Sequence, residues 1–370
     1  MRAAAESVRR QITGILLAWG MEPDLVAITA EAMVETDLMG IDSHGLSMLM
    51  MYERLRDGGQ LNLHARPRVV RQNACTALVD GGAGLGHPVA AMAMELAVEK
   101  ALAGGIGAVG VVNSHHFGAA GHYARIAARR GVLGMVMTTA RTVTAVPARG
   151  AVPMLGTNPI ALAAPDAEGE PAFVLDMSST TVAANKVKVY DLNGKPLPPG
   201  WVVDGEGRPV TDAAEAMAYL HKRAEGGLTP LGGAVETGGH KGYGLGMMVQ
   251  ILAGTLTGGA FSFLRNRTAP PGAPDNIGHF FLAIDPAAFR PPEEFHQDLG
   301  ELLGTLRQTP PARADQPVLI PGDPERMEHE TRSAKGIPVP ESLVRHVRDI
   351  CARCGAPYVL EDVAAATRAG

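Results

Sequence analysis

Gly105-Ile-Gly107-Ala-Val-Gly110-Val-Val-Asn113-Ser-His115-His116-Phe117-Gly118 is the stretch on which the fold turns. Its first six residues match the dinucleotide fingerprint letter for letter. They follow a helical pattern, Val89 to Leu102, and lead into a strand, Val109 to Val112. A fingerprint loop needs the opposite order, strand then turn then helix, so that a helix N-terminus meets the pyrophosphate. Gly81-Gly-Ala-Gly84-Leu-Gly86 has the right order but the wrong spacing, and the next strand ends at Asn113 rather than at the acidic residue a ribose needs. An ordinary Rossmann site is therefore not expected. The second half of the stretch places two histidines where a strand meets a helix, with Phe117 as an apolar wall able to tune His116.

Two further polar clusters share this character: Asp42-Ser43-His44-Gly45 and Gly239-His240-Lys241-Gly242-Tyr243-Gly244. Glycine lets a ligand approach the backbone, and imidazole titrates nearest neutrality, so histidine turns suit reversible proton transfer. Lys241 opens a helix after small residues. Its ammonium and the backbone N–H groups suit a phosphate; a Schiff-base lysine and a plain capping lysine are the alternatives. Gly156-Thr157-Asn158-Pro159 and Asp176-Met177-Ser178-Ser179 are further polar turns between apolar strands. His115, His116 and His122 offer a metal reading, but their spacing does not match the i, i+4 pair of a zinc helix and their cluster holds no carboxylate. No metal is expected. A metal-dependent hydrolase or lyase stands as the rival from another class, with a non-catalytic binding protein behind it.

With 370 residues, 46% of them hydrophobic and 19% charged, the chain has the composition of a globular protein of two domains. A net charge of −5 with scattered basic residues argues against a nucleic-acid surface. Apolar runs are broken well before the ~20 residues of a membrane span. The N-terminal segment carries Val8, Ile12, Ile15, Leu16 and Trp19 on one helical face, so it reads as a helix rather than a targeting peptide. Cys75, Cys351 and Cys354 suggest no disulfide framework, and a reducing cytoplasm is the expected location.

The first ~60 residues read as helices, with one from Pro23 to Gly40 and another capped by Ser43. Strands at 76–79, 109–112 and 132–138 then alternate with helices at 89–102 and 119–129. Lys186 to Tyr190 alternates as a half-buried strand, and 191–209 reads as a hairpin-bearing insertion. A helix is expected over 241–256, a buried strand over 280–284, a helix from 291 to about 306, extended chain over 310–324, and a last helix over 341–354.

Taken together, these clusters resemble the malate/L-lactate dehydrogenase family that does not use a Rossmann fold. Its activities include malate, L-sulfolactate and ureidoglycolate dehydrogenases, diketogulonate reductase and cyclic-imine carboxylate reductases. The resemblance runs from about residue 5 to 350. It rests on the motifs at 42–45, 113–118, 156–159 and 176–180, His-Lys-Gly-Tyr-Gly at 240–244, and Pro-Gly-Asp-Pro-Glu at 321–325.

The resemblance implies a mixed α/β fold with a non-Rossmann nicotinamide-binding domain. That domain, residues 75–324, would be built on a central mixed sheet. An all-helical domain would come from both chain ends, 1–74 with 325–370. The implied reaction is hydride transfer between NAD or NADP, with NAD favoured, and a small 2-hydroxy or 2-oxo acid. Reduction of a cyclic imino acid such as a piperideine or pyrroline carboxylate is the alternative within the family. A homodimer with its active site near the interface is implied as well. His116 matches the proton acceptor/donor, and His44 the group that polarises the substrate oxygen and touches the cofactor. Ser43 and Tyr52 match the substrate pocket, with Arg141 and Thr157 beside them. Thr139, Ala140, Asp176, Met177, Ser178, Lys241, Pro321, Gly322 and Asp323 match cofactor contacts. One departure is Met48, where many members carry an arginine suited to gripping a carboxylate with a forked pair of hydrogen bonds. Arg141 and Arg54 are the candidate replacements.

Overall fold

In the computed structural model, which describes residues 1–363, the chain opens with β1 (Arg2–Ala3), α1 (Ala5–Ala18), α2 (Pro23–Leu38) and α3 (Leu49–Asp57). There follow β2 (Arg68–Gln72), β3 (Thr76–Asp80), α4 (Gly86–Gly104), β4 (Ile106–Ser114), α5 (Ala120–Ala128), β5 (Leu133–Thr138), β6 (Ile160–Pro165) and β7 (Pro171–Met177). A small lobe comes next: α6 (Ala184–Leu192), β8 (Val202–Val203), α7 (Ala213–His221) and β9 (Gly227–Leu228). The chain then forms α8 (Gly239–Val249), α9 (Ser262–Thr268), β10 (Ile277–Ile284), α10 (Pro292–Arg307), α11 (Asp323–Lys335), β11 (Ile337–Pro338) and α12 (Glu341–Cys354).

Seven strands form one sheet in the order β2-β3-β4-β10-β5-β6-β7, in which only β3 and β4 run parallel. This is a mixed sheet, not a doubly wound one. Phe281 of β10 lies between Val109 of β4 and Val136 of β5, and all three are fully buried. Helices α4 and α5 supply Val89, Ala93, Ala97, Tyr123 and Ala124 to the same core. On another side of the sheet, Val249 and Ala253 meet Met137 and Ile160.

The fingerprint glycines are absorbed by this packing. Gly105 closes α4 in the left-handed region at φ +86°, the usual helix-ending position for glycine. Gly107 lies in β4 beneath α4, where a Cβ would collide with the Ala97 carbonyl. Phosphate binding plays no part in either placement.

A second core is built from both chain ends. Val8, Ile12, Ile15 and Leu16 of α1 pack with Met33, Leu49, Tyr52, Val347 and Ile350. β1 pairs with β11, Ala3 opposite Ile337, which ties the two ends together. Of the expected helical domain, residues 364–370 lie outside the described residues.

Two expectations change. Lys186–Tyr190 is helical, inside α6, because its contacts follow a helical step: Val187 is buried and Tyr190 packs beside it, while Val189 is exposed. Asn193-Gly194 ends that helix, and the hairpin expected within 191–209 turns at 204–208, where Val203 bridges Pro209. Residues 241–256 are not one α-helix: α8 passes into a π-helical turn over Gln250–Thr255.

Replacing Gly107 with Ala forces α4 off the sheet, at a cost of about 1–3 kcal/mol. Urea unfolding measures this, and an unchanged midpoint would mean that α4 does not seat on Gly107.

Candidate active site

His116 follows β4 and half-faces solvent, with Phe117 buried behind it. Its Nδ1 is 2.9 Å from the hydroxyl of Tyr52, which reaches across from α3 and the helical core. The Gly118 amide approaches the same nitrogen at 3.3 Å. Two donors at Nδ1 favour the hydrogen on Nε2. The His44 ring stacks on His116 with centroids 5.3 Å apart, and its own Nδ1 is 2.7 Å from Ser43 Oγ. Ser43, His44, Tyr52 and His116 are thus brought together from residues 43 to 116.

Burial sets the protonation of this group. It lowers His44, and it lowers His116 well below the usual imidazole range, with the neighbouring His44, His87 and His279 adding to the effect. Burial likewise holds Tyr52 above its ordinary value, so it acts as a neutral hydroxyl. A neutral imidazole beside a neutral phenol can exchange a proton with a bound alcohol or carbonyl oxygen.

The loop carrying Ser43 and His44 is held by groups that its own sequence does not reveal. Ser43 does not cap a helix. The carboxylate of Asp37, at the end of α2, accepts instead from the Leu46 amide at 2.8 Å. Gly45 presses on that carboxylate, which a Cβ would strike. Arg332 of α11 donates to the Asp37 carbonyl at 2.8 Å and pairs with Asp42. An acid near a helix end looks like surface in the sequence, so nothing there marks Asp37.

Met48 packs half-buried against the helical core. Arg54 is exposed on α3. Arg141 donates to Asp275 at 2.9 Å, and Asp275 also meets His115 Nδ1 at 3.2 Å. Burial pushes the Asp275 carboxyl up, but the His115 and Arg141 contacts more than offset it and hold it below the usual range. His115 also meets the Gln60 carbonyl at 2.9 Å, so it faces away from His116. His122 stands edge-on to Tyr123. The three histidines of the metal reading do not converge, and among the described residues no cluster of three or more His, Cys, Asp or Glu could hold a metal ion.

The residues matched to cofactor contacts lie mostly at strand ends and in turns. Asn158, fully buried, accepts from the Ala140 amide at 3.3 Å and donates to Gly246 of α8 at 3.0 Å. The Thr139 hydroxyl lies 3.4 Å from the Gly278 carbonyl. The Thr157 carbonyl accepts from Ser179 Oγ at 2.9 Å. Asp176 accepts from the Gly121 amide at 2.7 Å at the start of α5. The residue keeps solvent contact, yet the protein walls around its carboxyl lift it to about 6. Met177 and Ser178 follow, both half-buried. Pro321 accepts from the Val174 amide at 3.0 Å, Gly322 turns at φ +102°, and Asp323 is tied to Arg307 through both carboxylate oxygens.

At α8 the helix begins after Gly238 at φ +100°, no side chain caps it, and Lys241 stands exposed in its first turn. The Gly239 and Lys241 amides donate to the Ala234 and Gly238 carbonyls, so this helix start offers a phosphate of a dinucleotide the exposed Lys241 ammonium.

With this geometry in view, the comparisons decide the family. The malate/L-lactate dehydrogenase family model matches residues 3–348. The chain belongs to that family. It is 38% identical over 345 residues to a malate dehydrogenase of Pyrococcus horikoshii, covering 93% of each chain. Its fold matches the crystal structure of a malate dehydrogenase from Entamoeba histolytica with a TM-score of 0.90 at 28% identity, covering 96% of this chain and 99% of that one. It also matches a delta1-piperideine-2-carboxylate reductase from Pseudomonas syringae with a TM-score of 0.80 at 30% identity, covering 95% and 99%. The protein is an oxidoreductase of mixed α/β fold.

Asp37 ties the site to stability. Burial raises its carboxyl from 3.8 to about 7, with the Leu46 amide opposing. The folded state therefore binds this proton over a pH range where the unfolded state has released it, and stability falls as pH rises from about 4 through 7. Asp37→Asn should flatten that part of the profile. Chemical denaturation at stepped pH measures it, and an identical slope in the variant would remove Asp37 from the account.

Proposed function

We propose that the protein moves a hydride between a nicotinamide cofactor and a small 2-hydroxy or 2-oxo acid, with His116 as general acid/base. The observation that carries this is the His116 ring, neutral and half-open, held at Nδ1 by Tyr52 and stacked on His44. His116 takes the hydroxyl proton in oxidation and returns it in reduction. His44, fixed by Ser43, orients the substrate oxygen. The nicotinamide, when bound, supplies the other half of the reaction by accepting or returning hydride. Asp176, Met177, Ser178, Lys241 and the 321–323 turn would hold the dinucleotide, with Thr139 and Ala140 beside it. NAD is the favoured form.

Met48 is apolar, so the family's usual position carries no arginine, while Arg141 donates to Asp275 through Nε and keeps its guanidinium partly exposed. That favours keeping a second reading, reduction of a cyclic imino acid, alongside malate-like or lactate-like substrates. A substrate pocket between the helical region of both chain ends and the sheet region, read as two domains, fits the Tyr52–His116 contact. A homodimer fits the exposed apolar residues Met247, Ile251 and Leu256. No helix among the described residues is long and apolar enough to cross a membrane, and a cytoplasmic location is proposed.

The test is consumption of NADH or NADPH with a panel of 2-oxo acids and cyclic imino acids, with and without chelator. Chelator-insensitive turnover of one compound is expected; no nicotinamide consumption with any compound, together with a chelator-sensitive hydrolysis or elimination, would favour the hydrolase or lyase class instead. His116→Ala should lower kcat by at least about 10²; undiminished turnover would exclude it from the chemistry. Lys241→Ala should mainly weaken cofactor binding, and a normal affinity in a titration would refute its role.

A further inference from the structure

His87 is completely enclosed at the start of α4, and neither ring nitrogen has a hydrogen-bond partner among the described residues. Buried polar atoms are nearly always paired, so an unpaired imidazole beside the site requires an account. It stands edge-on to Tyr52 with ring centroids 5.8 Å apart. Gly118 lies between it and His116: the Gly118 amide is 3.3 Å from His116 Nδ1, and a Cβ on that residue would be 3.2 Å from His87 Nε2. His122 from α5 and His279 from β10 also face His87. Burial holds His87 and His279 down to about 3 and, with Arg129 and Arg125 beside it, His122 to about 4, so these three imidazoles are neutral near neutral pH.

His116 needs two tautomers. With hydrogen on Nε2, its Nδ1 accepts from Tyr52. To take a hydroxyl proton at Nε2, it must carry its hydrogen on Nδ1, and the resulting imidazolium carries one there too. Nδ1–H then donates to Tyr52 Oη, and the hydrogen of Tyr52 must turn to another acceptor. The Tyr52 side chain is buried, so that acceptor lies inside the protein.

We propose that His87 is this acceptor, reached across one bound water, and is a positioning residue that lets His116 hold Nδ1–H. Only the Tyr52 hydroxyl rotates during the reaction. The proton gained by His116 is the substrate's own, and the two tautomers interconvert by exchange with water before substrate binds. The inference uses the hydroxy-acid reading for its purpose but not for its test.

The experiment is imidazole 15N NMR of the full chain without substrate, comparing wild type, His87→Leu and His87→Gln, together with pH profiles of turnover. The fraction of His116 carrying Nδ1–H should fall severalfold in His87→Leu and recover in His87→Gln, whose amide oxygen can accept. In oxidation, kcat of the Leu variant should fall about tenfold while KM stays within about twofold. Should His87→Leu fail to fold, His87→Met makes the same comparison. An unchanged tautomer fraction, or equal losses in the apolar and Gln variants, would overturn the proposal and leave His87 a filler of space. If wild type turns over none of the acids while the tautomer still responds to His87, the hydroxy-acid reading fails and this inference stands.

Discussion

The hydrogen bond between Tyr52 and His116 joins two separately packed cores. Tyr52 sits in the helical core, fully buried among residues from both chain ends. His116 follows β4, whose Val109 and Val111 lie in the core of the sheet. A 2.9 Å contact between them survives only if both cores hold their places, because hydrogen bonds weaken steeply with small displacements. The proposed acid/base group thus takes its position from two rigid supports rather than from its own loop.

Burial then decides the charge. Burial lowers His44, His87, His116 and His279, and neighbouring imidazoles add to the effect at His87, His116 and His279. His115 instead pairs with Asp275. The same carboxylate accepts from Arg141 Nε and anchors one edge of a guanidinium that stays partly exposed. A pocket of neutral imidazoles suits exchange of one proton with an uncharged alcohol or carbonyl.

The loop bearing Ser43 and His44 depends on a clamp spanning nearly the whole chain. Arg332, 290 residues after Asp42, reaches it from α11 and also binds the Asp37 carbonyl. Asp37 takes the Leu46 amide, the place expected of Ser43, which leaves the Ser43 hydroxyl for His44. A carboxylate buried this deeply resists ionisation, so the clamp that orders the loop also makes its stability sensitive to pH.

Much of this was legible in the residues. The last helix occupies the 341–354 span read from its periodicity, and the strand at 280–284 lies inside β10. The reversed order around Gly105–Gly110 already spoke against a Rossmann site, and the histidine and lysine clusters marked where chemistry would gather. Lys186–Tyr190 misled because alternating apolar residues over so short a run fit a strand and a helical i, i+3 pair equally well. What the sequence by itself determined is the type of most elements and the location of the polar turns, since both follow from local periodicity and residue chemistry. Only the tertiary structure decided that Tyr52 meets His116, that Asp37 and Arg332 hold the His44 loop, that Asp275 anchors Arg141, and that His87 is enclosed with no hydrogen-bond partner among the described residues. Those outcomes rest on contacts across tens to hundreds of residues and on the depth of burial, and no local pattern encodes either.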